Sequence, residues 1–400
     1  MAGGFAIPET THKAHGLEGL LEKPDWPPLT LAEVDRLLRR YPLACGAERI
    51  LCFSPRPLSA ASVVETPLGR VFVKRHHRTV RDREGLLEEH RFLAFVAEKT
   101  GKESGLVQAA LENADGDTVT TDGDWTYEVH PPGCGVDVYE QALSWTPFQS
   151  IGHAGATGRA LARLHRAGEG YDAPRRKARQ LVTSFTIFAG DDPVEGMKAY
   201  LEERPLLREY AERRNWRQSF GELSLPFYEN LRPWLRYLAP LWTHNDFHAS
   251  NLMWSGDGNA AEVCGIIDFG LADRTNAIHD LATAIERNII EWLRMDELGA
   301  ELVHLDHLDA LLLGYEELHT VSYEQARALA AMLPLVHCEF ALSETDYFLS
   351  ILHSEEKAYL GYEGYFLAHA RWFRSAQGKQ LLERLELWAN SRPRTSGVMQ

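Results

Sequence analysis

From residue 49 the chain alternates apolar and polar positions with a period of two. Residues 50–53, 62–66 and 70–75 each read as a strand, and Pro67, Leu68 and Gly69 turn the second into the third. The period then lengthens. Leu86, Leu87, Phe92, Leu93, Phe95 and Val96 fall on one face of a helix over 83–99. Strand-like runs return over 107–130, punctuated by Asp115-Gly116-Asp117 and Asp122-Gly123-Asp124. The last of them, 125–130, runs into Pro131-Pro132-Gly133-Cys134-Gly135, a hinge-like linker. Helical spacing dominates from there to about residue 389. Ahead of the strands, Thr30 and Glu33 have the spacing of a capping box for a helix that ends before Pro42. The pattern divides the chain into an N-terminal arm (1–28, with a short helix near 17–21), a β-rich lobe (29–130), a helical lobe (131–390) and a fraying tail (391–400).

One pair of strands interrupts the helical lobe. Leu252, Met253 and Trp254 form an apolar run, 255–259 is dense in turn residues, and 263–267 is a second apolar run. Before this hairpin stand His244, Asp246 and Asn251, spaced H-x-D-x-x-x-x-N; after it comes Asp268-Phe269-Gly270. A hairpin joins its flanking loops at one end, so Asp246, Asn251 and Asp268 should meet there. Phosphoryl transfer needs such a set. One carboxylate orients a substrate hydroxyl and accepts its proton, while an amide oxygen and a second carboxylate hold magnesium on the nucleotide phosphates.

His244-Asn245-Asp246-Phe247-His248-Ala249-Ser250-Asn251, followed by Ile266-Ile267-Asp268-Phe269-Gly270, resembles the aminoglycoside phosphotransferase and choline kinase-like superfamily. The second histidine, His248, fits that superfamily better than the protein kinases. The resemblance implies an α+β, two-lobed, protein-kinase-like fold with a small β-rich N-lobe and a large, mainly helical C-lobe. It implies ATP and Mg2+ as cofactors, Asp246 as the catalytic carboxylate, Asn251 and Asp268 as metal ligands, and His244 and His248 as supports of the loop. Lys74, ending a V-F-V-K strand, would contact the phosphates and pair with a glutamate of the next helix, Glu89 before Glu88. Backbone groups of Glu128, Val129 and His130 would read the adenine edge. The string from Gly158 to His165 resembles the first long helix of the family's C-lobe. Asp280, in a D-L-A string, would cap a helix and anchor the loop behind the site. One feature departs from the protein kinases: the loop over the phosphates, 54–61, contains no glycine, and no P-loop occurs anywhere.

Composition narrows the partners. With 44% hydrophobic and 25% charged residues the chain can bury a sizeable core, and a net charge of −15 argues against nucleic acid. No uninterrupted apolar run reaches membrane-spanning length and no signal peptide is evident; five scattered cysteines read as reduced thiols. A cytoplasmic enzyme without a membrane partner is expected. For the acceptor, a small molecule with a hydroxyl, an acidic and aromatic stretch late in the chain suggests a cation: Glu339, Glu344, Asp346 and Tyr347 are its candidate substrate contacts. An amphipathic helix with an acidic outer face would look the same. The charged groups near 175–177, 191–193 and 202–204 read as solvated helix faces. Three other functions fit parts of the pattern: a nucleotide-binding pseudokinase, a kinase acting on protein side chains, and a metal hydrolase built on His244, Asp246 and His248.

Overall fold

A computed structural model describes residues 13–14, 17–18, 24–54, 57–101, 105–295, 297, 299 and 301–394. Within the arm, strands β1 (Lys13–Ala14) and β2 (Leu17–Glu18) form a two-residue ladder, so residues 17 and 18 are not helical as expected; 19–21 lie outside the described residues. The same holds for Pro55 and Arg56 of the glycine-free loop and for the end of the tail.

The N-lobe is one antiparallel sheet with strand order β3-β4-β5-β7-β6, made from β3 (Arg49–Phe53), β4 (Ala60–Thr66), β5 (Gly69–His77), β6 (Val119–Asp122) and β7 (Trp125–His130). Helix α1 (Leu31–Leu38) begins at the expected capping box, with Thr30 Oγ1 accepting from Glu33 N at 3.3 Å and Glu33 accepting from Thr30 N at 3.4 Å. Its Val34, Leu37 and Leu38 pack on Val64, Val71, Val73, Tyr127 and Val129. Helix α2 (Arg83–Thr100) covers the side of the sheet that faces the C-lobe, and its Phe92, Leu93 and Val96 join the C-lobe core.

The C-lobe starts with α3 (Ile151–Gly168). Helices α4 (Pro193–Glu202), α5 (Pro205–Arg213), α6 (Trp216–Leu223) and α7 (Leu225–Leu231) form one flank. Strands β8 (Pro240–Thr243), β9 (Leu252–Trp254), β10 (Val263–Ile266) and β11 (Asp273–Asn276) lie where the lobes meet, pairing β9 with β10 and β8 with β11. Then follow α8 (Ala277–Ile289), α9 (Leu305–Glu316), α10 (Tyr323–Met332), α11 (Cys338–Ser350), α12 (Glu355–Tyr359), a π-helical stretch (Leu360–Leu367), α13 (Ala368–Trp372) and α14 (Ala376–Asn390). Helices α3 and α9 cross at backbone contact. A Cβ on Gly158 would lie 2.1 Å from the Leu311 carbonyl oxygen, and one on Gly314 would lie 2.1 Å from that of Gly155. The helical stretch Tyr323–Ser350 is long and apolar enough to span a membrane, but 89% of its most apolar window is buried inside the C-lobe. It is core.

One expectation fails. The helical segment expected over 172–242 is helical only from Pro193 onward, and residues 172–190 run without a helix. Distant side chains satisfy their backbone instead. Glu339 accepts from Ser184 N (3.1 Å), Ile187 N (2.6 Å) and Thr186 N, and Ser343 Oγ accepts from Val182 N (3.0 Å). Groups so far away in sequence leave no local signal.

Candidate active site

The β9–β10 hairpin does what its pattern predicts: Leu252 pairs with Ile266 and Trp254 with Val263, and the Ile267 N–H bonds the Asn251 carbonyl at 2.9 Å. Asp246, Asn251 and Asp268 line one cavity of about 240 Å³ between the lobes, together with Lys74 and His248. Three segments separated by up to 194 residues therefore converge there.

Two positions in this loop pair adopt left-handed backbone, Asn245 (φ 62°) and Asp268 (φ 57°). Such strain in non-glycine residues persists only where surroundings enforce it. The enforcing groups are visible. The Asn245 side chain is tied to Thr243 (2.8 Å), Thr275 (3.0 Å) and the Leu271 carbonyl (3.2 Å). Asp280, fully buried, accepts from His244 N (3.0 Å), Asn245 N (2.8 Å) and His165 Nε2 (3.0 Å). The helix cap itself is Asn276, which accepts from His279 N at 2.9 Å. Asp280 thus sits one turn inside α8, and the expected capping role passes to Asn276 because the helix starts earlier than the apolar pattern indicates. Asn288 of α8 holds the loop from the other side, accepting from Ala249 N (2.9 Å) and donating to the Phe247 carbonyl (3.0 Å).

Asp246 is met by Asn251 Nδ2 (3.3 Å), Arg287 Nη2 (3.3 Å) and His248 Nε2 (3.4 Å). Burial opposes ionisation, but His248 and Arg287 outweigh it and hold the carboxyl well below its ordinary range. Asp268 accepts from Lys74 Nζ at 2.9 Å and from Gly270 N at 3.3 Å. Burial again opposes the charge and Lys74 overrides it, so Asp268 is also held low. Lys74 is held charged against its burial by Asp268, Glu128 and Glu89. His244 uses both ring nitrogens on backbone: Nε2 donates to the Ile267 carbonyl (3.0 Å) and Nδ1 accepts from Asp246 N (3.2 Å). It braces the two loops, and a hydrolytic metal site with His244 as ligand has no free nitrogen to use.

Other expectations are corrected. Glu89 does not bond Lys74; its carboxylate meets Arg176 Nη2 at 3.4 Å, and Lys74 turns to Asp268. Arg176 belongs to the 175–177 group read as solvated. It is 7% exposed and binds the carbonyls of Gly270 (2.8 Å), Ala272 (3.2 Å) and Gly85 (2.8 Å). Buried Arg81 also binds Gly270 O (3.0 Å), with Leu181 O (2.7 Å); burial and the nearby Arg176 bring it down to about 10. Two arginines thus clamp the D-F-G loop to α2, a role that an isolated basic residue does not announce in sequence.

Glu128 and Val129 are committed inside the sheet. Glu128 pairs in register with Lys74 on one side and Val119 on the other, and the Val129 carbonyl accepts from Leu111 N at 2.7 Å. The Glu128 carboxylate, 2% exposed, gathers His76 (2.8 Å), His90 (3.0 Å) and His130 (2.9 Å), and these hold it far below its ordinary range against the burial. His90, Glu128 and His130 have metal-like proximity, but their ligand atoms are hydrogen-bonded to one another. Of the late acidic and aromatic candidates, Glu344 lines the cavity. Glu339 caps backbone, Asp346 accepts from Gln180 (3.4 Å) and the Tyr347 hydroxyl donates to Asp25 (3.0 Å). Helical spacing turns these three away from the cavity.

The cavity also holds Phe348 and Tyr365 from the late aromatic stretch, and residues that the sequence did not single out. Asp25 joins the lobes: its N–H bonds the Pro57 carbonyl (3.0 Å), and its carboxylate bonds Tyr347 and Lys357 (3.0 Å each). Trp145, Phe340, Phe348 and Tyr365 form aromatic walls, and Arg287 is part of the lining. Arg287 carried a signal: Glu286-Arg287-Asn288 is a run of three polar residues beside the apolar face of α8, and it is buried throughout.

Comparison with known proteins agrees with this geometry. Residues 59–337 match the model of the phosphotransferase enzyme family. Among solved structures, an aminopropanol kinase associated with a microcompartment shares 18% identity at a TM-score of 0.55, covering 87% of this chain and 99% of its own. An aminoglycoside phosphotransferase from Alicyclobacillus acidocaldarius shares 16% at 0.52, covering 92% and 98%. A search of curated proteins finds no match. With the fold, the paired loops and the family match in agreement, the chain belongs to the phosphotransferase enzyme family of aminoglycoside and choline kinase-like proteins, enzymes that transfer phosphate to hydroxyl groups of small molecules.

Proposed function

We propose that this cavity moves the γ-phosphoryl group of ATP to a hydroxyl of a small acceptor. The observation that carries the reading is the convergence of Lys74, Asp246, Asn251 and Asp268 on one cavity from separate segments. The donor set suits magnesium: a carboxylate on Asp268 and an amide oxygen on Asn251, whose Nδ2 already serves Asp246. Magnesium held there would neutralise phosphate charge. Asp246 orients the acceptor hydroxyl. Held ionised, it is a weak base, so it takes the proton late, as the oxygen becomes bonded to phosphorus. Lys74, now paired with Asp268, supplies fixed positive charge where the phosphates gain negative charge, and Asp268 would be a ligand of magnesium when the ion is bound. Backbone beyond His130 reads the base, since Glu128 and Val129 are occupied within the sheet.

The acceptor is small. The cavity, about 240 Å³, is smaller than most ligand pockets, and residues of helix α11 and the π-helical stretch form part of its lining. The test is ADP release with a panel of hydroxyl compounds over a magnesium titration. Asp268→Ala should raise the magnesium requirement at least tenfold; an unchanged metal dependence contradicts the assignment.

A further inference from the structure

We propose that Arg287 reads a carboxylate of the acceptor, which makes the substrate a small hydroxy acid. This rests on the phosphotransferase reading above and names its substrate class.

Arg287 is 3% exposed, in the last turn of α8, and lines the cavity. A guanidinium has five N–H donors in one plane. Nη2 lies 3.3 Å from Asp246 Oδ1, and Nε lies 3.5 Å from Glu286 Oε2 yet has no hydrogen-bond partner among the described residues. Leaving buried donors of a charged group unsatisfied is costly unless a ligand completes them. Three rings surround the guanidinium: Cζ lies 4.9 Å from the Phe340 ring centre, 5.1 Å from Trp145 and 5.9 Å from Tyr365. A carboxylate matches a guanidinium edge with two parallel bonds.

The other charges of the cavity have partners. Lys74 is paired with Asp268, and Lys357 with Asp25. Glu286 does not fully cancel Arg287, because burial pushes its carboxyl up to about 7 and its other oxygen meets His369 at 3.0 Å. Of the four side chains expected to meet a cationic acceptor, Glu344 lines the cavity and acts on Arg287, while Glu339, Asp346 and Tyr347 face elsewhere. The contact between Asp246 and Arg287 sets the spacing of the ligand. With hydrogen bonds of about 3 Å to each, hydroxyl and carboxylate lie no more than about 9 Å apart, which keeps the acceptor small. Two of the three rings, Phe340 and Tyr365, lie beyond residue 337, where the family match ends.

The experiment uses the full-length protein with Mg·ATP and three matched pairs that differ by a carboxylate: D-glycerate and glycerol, L-homoserine and 3-aminopropan-1-ol, L-threonine and 1-aminopropan-2-ol. At least one acid should be phosphorylated, with kcat/KM at least tenfold above its partner. Arg287→Met should reduce that ratio at least tenfold, and Arg287→Lys should fall between, because a point charge cannot form the paired contact. Turnover of the alcohols and amines equal to that of the acids overturns the proposal, as does phosphorylation of none of the acids, or an unchanged ratio in Arg287→Met. Slow ADP release to water without acceptor separates the two readings. If it is present and abolished in Asp268→Ala, the phosphotransferase reading stands whatever the acceptor; if it is absent and no acceptor is turned over, that reading fails first.

Discussion

Replacing Asp280 by alanine should cost the protein a large part of its stability. Three donors lose their acceptor at once: His244 N, Asn245 N and His165 Nε2, at 2.8–3.0 Å in a fully buried setting. Orphaned buried donors cost about 1–3 kcal/mol each, so the sum is roughly 3–9 kcal/mol, against a total of about 5–15 kcal/mol for a folded protein. Urea unfolding followed by tryptophan fluorescence measures this directly. Asp280→Asn, which keeps one acceptor oxygen, should fall between the native protein and Asp280→Ala and keeps the test readable if the alanine variant fails to fold. The effect has a pH signature. His165 and the two backbone N–H groups hold the Asp280 carboxyl below its ordinary value despite burial. Its ionised form therefore stabilises the fold above the unfolded-state value, about pH 4, and that contribution fades as pH falls below it. The gap between native and alanine proteins should be full at pH 6 and shrink towards pH 3. A variant within about 1 kcal/mol of native at pH 6, or a gap independent of pH, would refute the bracing role.

Other consequences follow from single contacts. Gly158→Ala would place a methyl 2.1 Å from the Leu311 carbonyl and force α3 from α9; a destabilisation of about 1–3 kcal/mol or more is expected, and an unchanged melting temperature contradicts the close crossing. Glu286 has the opposite pH sense to Asp280, because its folded value of about 7 lies above the unfolded one, so native stability should decline as pH rises from 5 to 8. Glu286→Gln removes that term and should gain on the native protein by roughly 3 kcal/mol over the interval; equal pH profiles would count against it. Arg176→Met should loosen the D-F-G loop, seen as faster amide exchange at Gly270 and Leu271, and unchanged exchange would show that Arg81 holds the loop alone.

The legible parts of this protein were those whose partners are near in sequence. Alternation over 50–75 fixed three strands, and Thr30 with Glu33 fixed the start of α1. The hairpin required Asp246, Asn251 and Asp268 to meet because only a short turn separates its strands. What stayed hidden depends on distant choices. Glu89 had two cations within reach, and only the path of residues 172–190, held by Glu339 and Ser343 more than 150 positions away, decides that Arg176 takes it. The late acids share a composition but not a direction, and helical spacing sends one to the cavity and three elsewhere. Arg287 was hidden for another reason: a buried charge inside an apolar helix looks like an interruption of the pattern until the rings around it and the carboxylate before it are known.

The central claim is that Asp246 performs the transfer while Lys74, Asn251 and Asp268 hold the nucleotide. Asp246→Asn removes the carboxylate and keeps its shape, and its direct measure is coupled ADP release beside calorimetric titration with Mg·ATP. The account predicts a loss of turnover of at least roughly 100-fold, with nucleotide affinity within about threefold of native. Turnover retained near the native rate would contradict it, whatever the acceptor proves to be.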